Sequence, residues 1–257
     1  MSIFVSKVQA RLLKLNKNWL CVICGEPGSG KSYSGIAIAQ KIYPEFSIEN
    51  VIFTPKEFLE KLNNKKLIKK GAVFIFDEAG VGLSARDWYS IQNKLLGAVL
   101  QIFRALNIGV IFTTPNLSYI DVQARKLFHN YVETLYIDRF HDEVVAKIYD
   151  IQHNSRYDKT YFKLPTLIDS EGKHHTYNKF RINKPSDNII KDYEERKNKY
   201  VTDNLRDAMS SINGEKDKPK GRVHQHSWQG RDKTNDWICK NCRTISKQNP
   251  YMEVNSL

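Results

Sequence analysis

Apolar residues along this chain come in short unbroken runs, separated by stretches in which they recur every three or four positions, and that alternation sets the expected elements. The first run, Trp19-Leu20-Cys21-Val22-Ile23-Cys24, reads as a buried strand, and residues 34–43 follow at helical spacing until Pro44 stops them. Residues 50–54 read as a second short strand and residues 57–62 as a polar helix. Ala72-Val73-Phe74-Ile75-Phe76 is β-branched and aromatic, the form of a central parallel strand. From Asp87 the spacing turns helical: Trp88, Ile91, Leu95, Leu96, Val99, Ile102 and Phe103 make an apolar stripe that ends near Arg104. Residues 108–114 are a further strand, broken by Pro115 and Asn116, and residues 121–128 a short helix. The period then drops to two over residues 131–137 and 144–150 around a polar turn, which predicts a β-hairpin that residues 160–164 extend. Residues 187–209 form a charged helical stretch whose Ile189, Ile190, Tyr193, Tyr200 and Leu205 suit either packing on the core or projecting from it. Strands separated by helices imply right-handed crossovers and a mainly parallel sheet covered on both faces. The expected fold class is α/β.

Composition bounds this picture. At 257 residues and 41% hydrophobic, the chain can bury one α/β core and carry an appended segment. The expected organisation is a core domain over residues 1–186 that includes the hairpin, a charged helix over 187–213, a flexible basic linker over 214–223 and a small module over 224–257. A net charge of +12 exceeds what solubility requires and points to an anionic partner, nucleic acid or an acidic membrane surface. Lys65, Lys66, Lys69 and Lys70 read most simply as a solvated loop. No stretch approaches the roughly 18 apolar residues of a membrane span. Ile3-Phe4-Val5 breaks at once into Lys7, Arg11 and Lys14, unlike a signal peptide, so a soluble cytoplasmic protein is expected.

The chemistry concentrates after the first strand. Gly25-Glu26-Pro27-Gly28-Ser29-Gly30-Lys31-Ser32 fits GxxxxGK[ST], a phosphate-binding loop, in the context that such a loop requires: a strand before it and a helix after it. Small residues let successive N–H groups point at phosphate oxygens, and the helix adds the positive end of its dipole. Lys31 reaches the β- and γ-phosphates of a nucleoside triphosphate such as ATP, and Ser32 holds Mg²⁺. Hydrolysis needs more than binding. Asp77 and Glu78 close the strand at residues 72–76, and they supply a Mg²⁺ acceptor and a base for the attacking water. The expectation is that this acid pair, at the tip of a neighbouring strand, shares one pocket with the glycine-rich loop.

The four cysteines divide into two kinds. Cys21 and Cys24 lie three apart on a strand, so their side chains face opposite ways and pack in the core. Cys239 and Cys242 lie in a polar segment downstream of His224 and His226, and two thiolates with two imidazoles suit tetrahedral Zn²⁺. Trp228 and Trp237 could form a miniature core around it. Lys233, Lys240, Arg243 and Lys247 would then line a cationic surface able to contact phosphate.

Residues 104–115, together with the loop at 25–32, the strand at 74–78, Ile120, Asp121 and Arg125, resemble the FtsK/HerA superfamily of DNA-pumping ATPases, which includes the Zot-like proteins of filamentous phages. The resemblance spans about residues 18–130. It implies a P-loop ATPase core, catalysis by Lys31, Glu78 and Arg104, and a homo-oligomeric ring in which Arg104 reaches a neighbouring subunit's γ-phosphate. Where many relatives carry a sensor Gln this chain has Pro115, which leaves Thr114 or Asn116 to contact the γ-phosphate. The function so implied is an ATP-hydrolysing motor that translocates or packages nucleic acid, DNA rather than RNA, encoded by a virus or mobile element and working in the host cytoplasm. The lack of a membrane span, unlike typical Zot-like proteins, points away from an assembly channel. A nucleotide-dependent adaptor with little turnover is the alternative, and a small-molecule kinase is disfavoured because no Arg-rich lid is visible.

Overall fold

The computed structural model describes residues 2–63, 68–77, 106–120, 122–168, 171–212, 228–230, 237–239 and 245–246. The sequence-predicted helix after Asp87 lies outside the described residues. Contacts divide the chain into two units, Met1–Asn204 and Leu205–Leu257.

In the first unit, helix α1 (Ser2–Gln9) runs into a π-turn at Ala10–Lys14, and β1 (Trp19–Cys24) leads through the loop to α2 (Lys31–Ile42). Then come β2 (Val51–Ile52), α3 (Pro55–Asn63), β3 (Val73–Phe76), β4 (Gly109–Thr114) and the short α4 (Val122–Arg125). The hairpin is β5 (Asn130–Asp138) and β6 (Glu143–Asn154), followed by β7 (Lys159–Lys163), β8 (Thr166–Ile168), β9 (His174–Thr176), β10 (Phe180–Asn183) and α5 (Asp187–Ile212). Among the described residues eight strands join in one sheet, ordered β10-β6-β5-β1-β4-β3-β2, with β7 also paired to β6. The five strands from β5 to β2 are mutually parallel and the hairpin side is antiparallel. β10 and β7 share the outer edge of β6, one along residues 143–146 and the other along residues 150–154.

One expectation is corrected here. The strand that ends in Asp77 is not the neighbour of the loop strand, because β4 lies between them, in register with β1 from Trp19↔Gly109 to Cys24↔Thr114. Periodicity defines strands but carries no information on their order across a sheet.

Every residue of β1, β3 and β4 is buried, as strands covered on both faces must be. Two apolar clusters result. One holds Cys21 and Ile23 under Phe4, Leu12, Ile36 and Tyr193, and the other holds Leu20, Val22 and Cys24 with Phe58, Phe76 and Phe128. Each such large side chain contributes about 1.5–3 kcal/mol by leaving water. The two cysteines fall on opposite faces, and burial pushes both thiols up, Cys24 to about 12.

The first helix was not foreseen. Phe4, Val5, Val8 and Leu12 recur at helical spacing and seal one face of the sheet, with Phe4 edge-on to Trp19 at 6.2 Å. Helix α3 starts where Thr54 Oγ1 accepts the Glu57 N–H at 3.1 Å, an N-cap bond.

Helix α5 crosses the boundary between the units. Within the first unit it packs rather than projects: Tyr193 is buried, Phe53 stacks with Tyr193 at 6.3 Å and with Tyr200 at 5.0 Å. Arg196 pairs with Glu57 and donates to the Ile48 carbonyl at 2.6 Å. In the second unit the described strands Trp228–Gly230, Trp237–Cys239 and Ile245–Ser246 form a small antiparallel sheet. No described helix is long and apolar enough to cross a membrane.

Candidate phosphate-binding site

The loop at residues 25–30 leaves β1 at the carboxyl edge of the sheet and enters α2 through Gly30, whose φ of 84° is left-handed. The first bond of the α2 ladder runs from Ser34 N–H to Gly30 carbonyl at 2.9 Å. N–H groups ahead of it find no acceptor within the helix and, with the helix dipole, make this turn a ready anion site. The loop is pinned from beneath: Ser29 Oγ and Thr134 Oγ1 lie 2.7 Å apart, and Thr134 Oγ1 donates to the Cys24 carbonyl at 3.1 Å.

Lys31 Nζ donates to two loop carbonyls, Gly25 at 2.9 Å and Glu26 at 2.8 Å, so the ammonium rests on the loop it serves. Ser32 Oγ donates to Asp77 Oδ1 at 2.8 Å, which brings together the two residues expected to face a metal. Asp77 is fully buried, and its backbone N–H is held by the Ile52 carbonyl at 2.9 Å. Because β4 stands between β1 and β3, its end supplies a further donor: Thr113 Oγ1 donates to the same Asp77 oxygen at 2.6 Å. Thr114, chosen from the sequence, is equally buried, but its hydroxyl donates to the Asn116 carbonyl at 3.2 Å. Asn116 in turn caps the short turn at Leu117–Tyr119 by accepting Ser118 N–H at 2.8 Å. Arg125 braces this stretch through bonds to the carbonyls of Ile120 and Ser118.

The other oxygen of Asp77 belongs to α5. Tyr193 Oη donates to Asp77 Oδ2 at 2.6 Å, and Lys197 Nζ lies 3.9 Å from it. Tyr33, the residue after Ser32, donates to Glu194 Oε1 at 2.8 Å, and burial first, then Glu194, pushes its phenol up to about 12. Beside the buried Asp77 lies a cleft of about 440 Å³ lined by Gly28, Lys31, Ser32, Thr114, Tyr193 and Lys197 among others. The arrangement can hold a polyanion on backbone N–H groups and ammonium side chains, with a carboxylate and a hydroxyl at one end as hard oxygen donors.

Thr113, Tyr193 and Lys197 escaped the sequence reading. Thr113 stood beside the residue chosen, and strand alternation lets only one of such a pair face Asp77. Tyr193 and Lys197 lie more than a hundred residues from Asp77 along the chain and left no local signal beyond an apolar stripe on a charged helix. Glu78, Arg104, His224, His226 and Cys242 lie outside the described residues, and Cys239 ends a strand of the second unit. Among the described residues, no group of three or more His, Cys, Asp or Glu side chains could hold a metal ion.

The fold is α/β, a mostly parallel sheet flanked by helices. A model of the zonular occludens toxin (Zot) family matches residues 37–186, a span that begins inside α2 just past the loop and ends ahead of α5. An uncharacterized protein, B-251, of Sulfolobus spindle-shape virus 1 is 27% identical over 119 residues, 41% of this chain and 46% of that protein, so the chain spans less than half of that relative. Among solved structures, the N-terminal domain of zonular occludens toxin from Neisseria meningitidis is 14% identical, covering 60% of this chain and 96% of that one at a TM-score of 0.32. B204, the DNA-packaging ATPase from Sulfolobus Turreted Icosahedral Virus, is 17% identical, covering 58% and 98% at a TM-score of 0.34.

Proposed function

We propose that this chain, which belongs to the zonular occludens toxin (Zot) family, is a magnesium-dependent ATPase that translocates or packages nucleic acid, DNA rather than RNA, as a homo-oligomeric ring. One contact carries the reading: Ser32 Oγ, at the wall of the cleft that the loop and Lys31 line, meets the buried Asp77 Oδ1 at 2.8 Å across an intervening strand. The chemistry of the two donors fits Mg²⁺, which when bound would neutralise charge on the β- and γ-phosphates.

In this reading the loop N–H groups grip the phosphates, and Lys31 turns from the loop carbonyls to the phosphate chain. Glu78, the residue after Asp77, orients the attacking water and takes its proton. Arg104 neutralises the γ-phosphoryl oxygens of a neighbouring subunit's nucleotide, and Thr114 contacts the same group. With Asp77 marking the γ-phosphate end, the nucleoside lies on the hairpin side, where a smaller cleft of about 190 Å³ runs from Gly30 and Tyr33 to Asp142, Val144 and Lys184. The net charge of +12 supplies the surface for an anionic track. Zn²⁺ on His224, His226, Cys239 and Cys242 belongs to the same proposal, on donor chemistry alone.

The test is ATP turnover by the purified chain with and without duplex DNA. DNA should raise turnover, and Lys31→Ala should stay folded yet lose at least about 100-fold, the scale of removing a charge-stabilising donor. Equal turnover with and without DNA removes the motor reading and leaves the adaptor. Glu78→Gln separates the two independently, because it traps bound ATP in a motor and leaves an adaptor's partner binding unchanged.

A further inference from the structure

Asp77 is shared between two parts of the chain. A carboxylate offers about four lone-pair sites. Oδ1 accepts from Ser32 and Thr113, and both donors belong to the strand and loop machinery inside the family-matched core or immediately ahead of it. Oδ2 accepts from Tyr193, on a helix beyond that match, and has the Lys197 ammonium 3.9 Å away.

The phenol has little freedom. Tyr193 is 1% exposed, stacked on Phe53 at 6.3 Å and edge-on to Tyr33 at 6.0 Å. Its helix is fastened three residues later by Arg196, through Glu57 and the Ile48 carbonyl. A donor held this firmly fixes the rotation of the carboxylate about its own bond, as outer partners of metal ligands do. Among the described residues, the cation that faces the same oxygen, Oδ2, is Lys197. Lys197 also lies 5.6 Å above the Tyr193 ring and lines the phosphate cleft.

We propose that Tyr193 is a positioning residue of the nucleotide site, orienting Asp77 for a divalent cation, and that Lys197 is the resident counter-ion which that cation displaces. The inference rests on the nucleotide-site reading above. It gives the two residues opposite signs. Removing the Tyr193 hydroxyl weakens the site for metal, because Oδ2 loses its donor and the carboxylate is held through Oδ1 alone. Removing the Lys197 charge strengthens it, because the metal no longer competes with an ammonium at a buried carboxylate.

The experiment uses the full chain and a fluorescent, non-hydrolysable ATP analogue, titrated at a series of Mg²⁺ concentrations, so that the readout is binding rather than turnover. Wild-type protein should bind the analogue more tightly as Mg²⁺ rises. Tyr193→Phe, which keeps the packed ring, should leave magnesium-free affinity within twofold and raise the Mg²⁺ midpoint by about tenfold, the lower end for loss of an outer-shell partner. Lys197→Met, which keeps the aliphatic stem, should lower the midpoint by several-fold. A purely structural role for α5 predicts equal losses with and without Mg²⁺, and that pattern, or unchanged midpoints in both variants, overturns the proposal while the nucleotide site stands. If wild-type protein binds no analogue at any Mg²⁺ level, the nucleotide-site reading falls and takes this one with it. Lys197 is partly exposed, so its variant remains decisive if Tyr193→Phe fails to fold.

Discussion

Two N–H groups face one ring at His129. Leu20 N–H meets Nδ1 at 2.9 Å and Arg11 Nη2 lies 2.6 Å from Nε2, although a neutral imidazole has only one acceptor nitrogen. Protonation would remove that one. Burial, and after it the Arg11 charge, therefore holds the ring down to about 4 from its ordinary 6.5. The sign follows from linkage: the unfolded chain takes up the proton first, so the stabilisation is complete above pH 6.5 and drains away as pH falls toward 4. The loss is on the order of 3 kcal/mol at most. Urea unfolding followed between these pH values should show it, and His129→Gln should flatten the slope; an unchanged slope would place the acid sensitivity elsewhere. At this scale the legible residues were those whose meaning is local. Lys31, Ser32 and Asp77 sit in strings that state their chemistry, whereas Thr113, Tyr193, Lys197 and His129 act on partners far along the chain.

Glycine in the loop serves the hairpin as well as the phosphate contact proposed for it. A Cβ on Gly25 would lie 1.9 Å from Thr134 Oγ1 and 3.0 Å from the Thr134 carbonyl oxygen, so β5 itself would have to move. A Cβ on Gly28 would meet nothing within 4 Å, and only its left-handed φ of 77° resists a side chain. Gly25→Ala should therefore cost about 3 kcal/mol and loosen the anchored loop. Gly28→Ala should cost only about 1 kcal/mol. Denaturant midpoints of the two variants check the order, and a Gly28→Ala variant less stable than Gly25→Ala would refute it. The glycine signature was plain in the sequence, but the reading gave it one purpose. The second appeared when β5 proved to run parallel to β1, with Cys24 opposite Glu133, immediately beneath the loop. The hairpin itself was legible from its period of two. Helix α1 and the edge strand β10 were not, because both are short and bury their few apolar residues only in company: Phe4 with Trp19, and Phe180 and Ile182 within the same cluster.

At the level of the whole chain, 40 basic residues stand against 28 acidic ones. If the partner is nucleic acid, binding releases counterions, and affinity for duplex DNA should fall on the order of 10³-fold between 50 and 200 mM salt. A fluorescence-anisotropy titration across that range measures the slope, and a flat response would mean that the charge serves something else. The sequence by itself determined the α/β class, the glycine-rich turn between strand and helix and the acid that closes a buried strand, because each is written in contiguous residues whose spacing reports local backbone geometry. Only the tertiary structure decided that β4 separates β1 from β3, that Thr113 therefore reaches Asp77, and that α5 folds back to put Tyr193 and Lys197 on the same carboxylate. Strand order and helix docking are chosen by which apolar faces bury one another at long range, and that choice leaves no periodicity in the chain to be read.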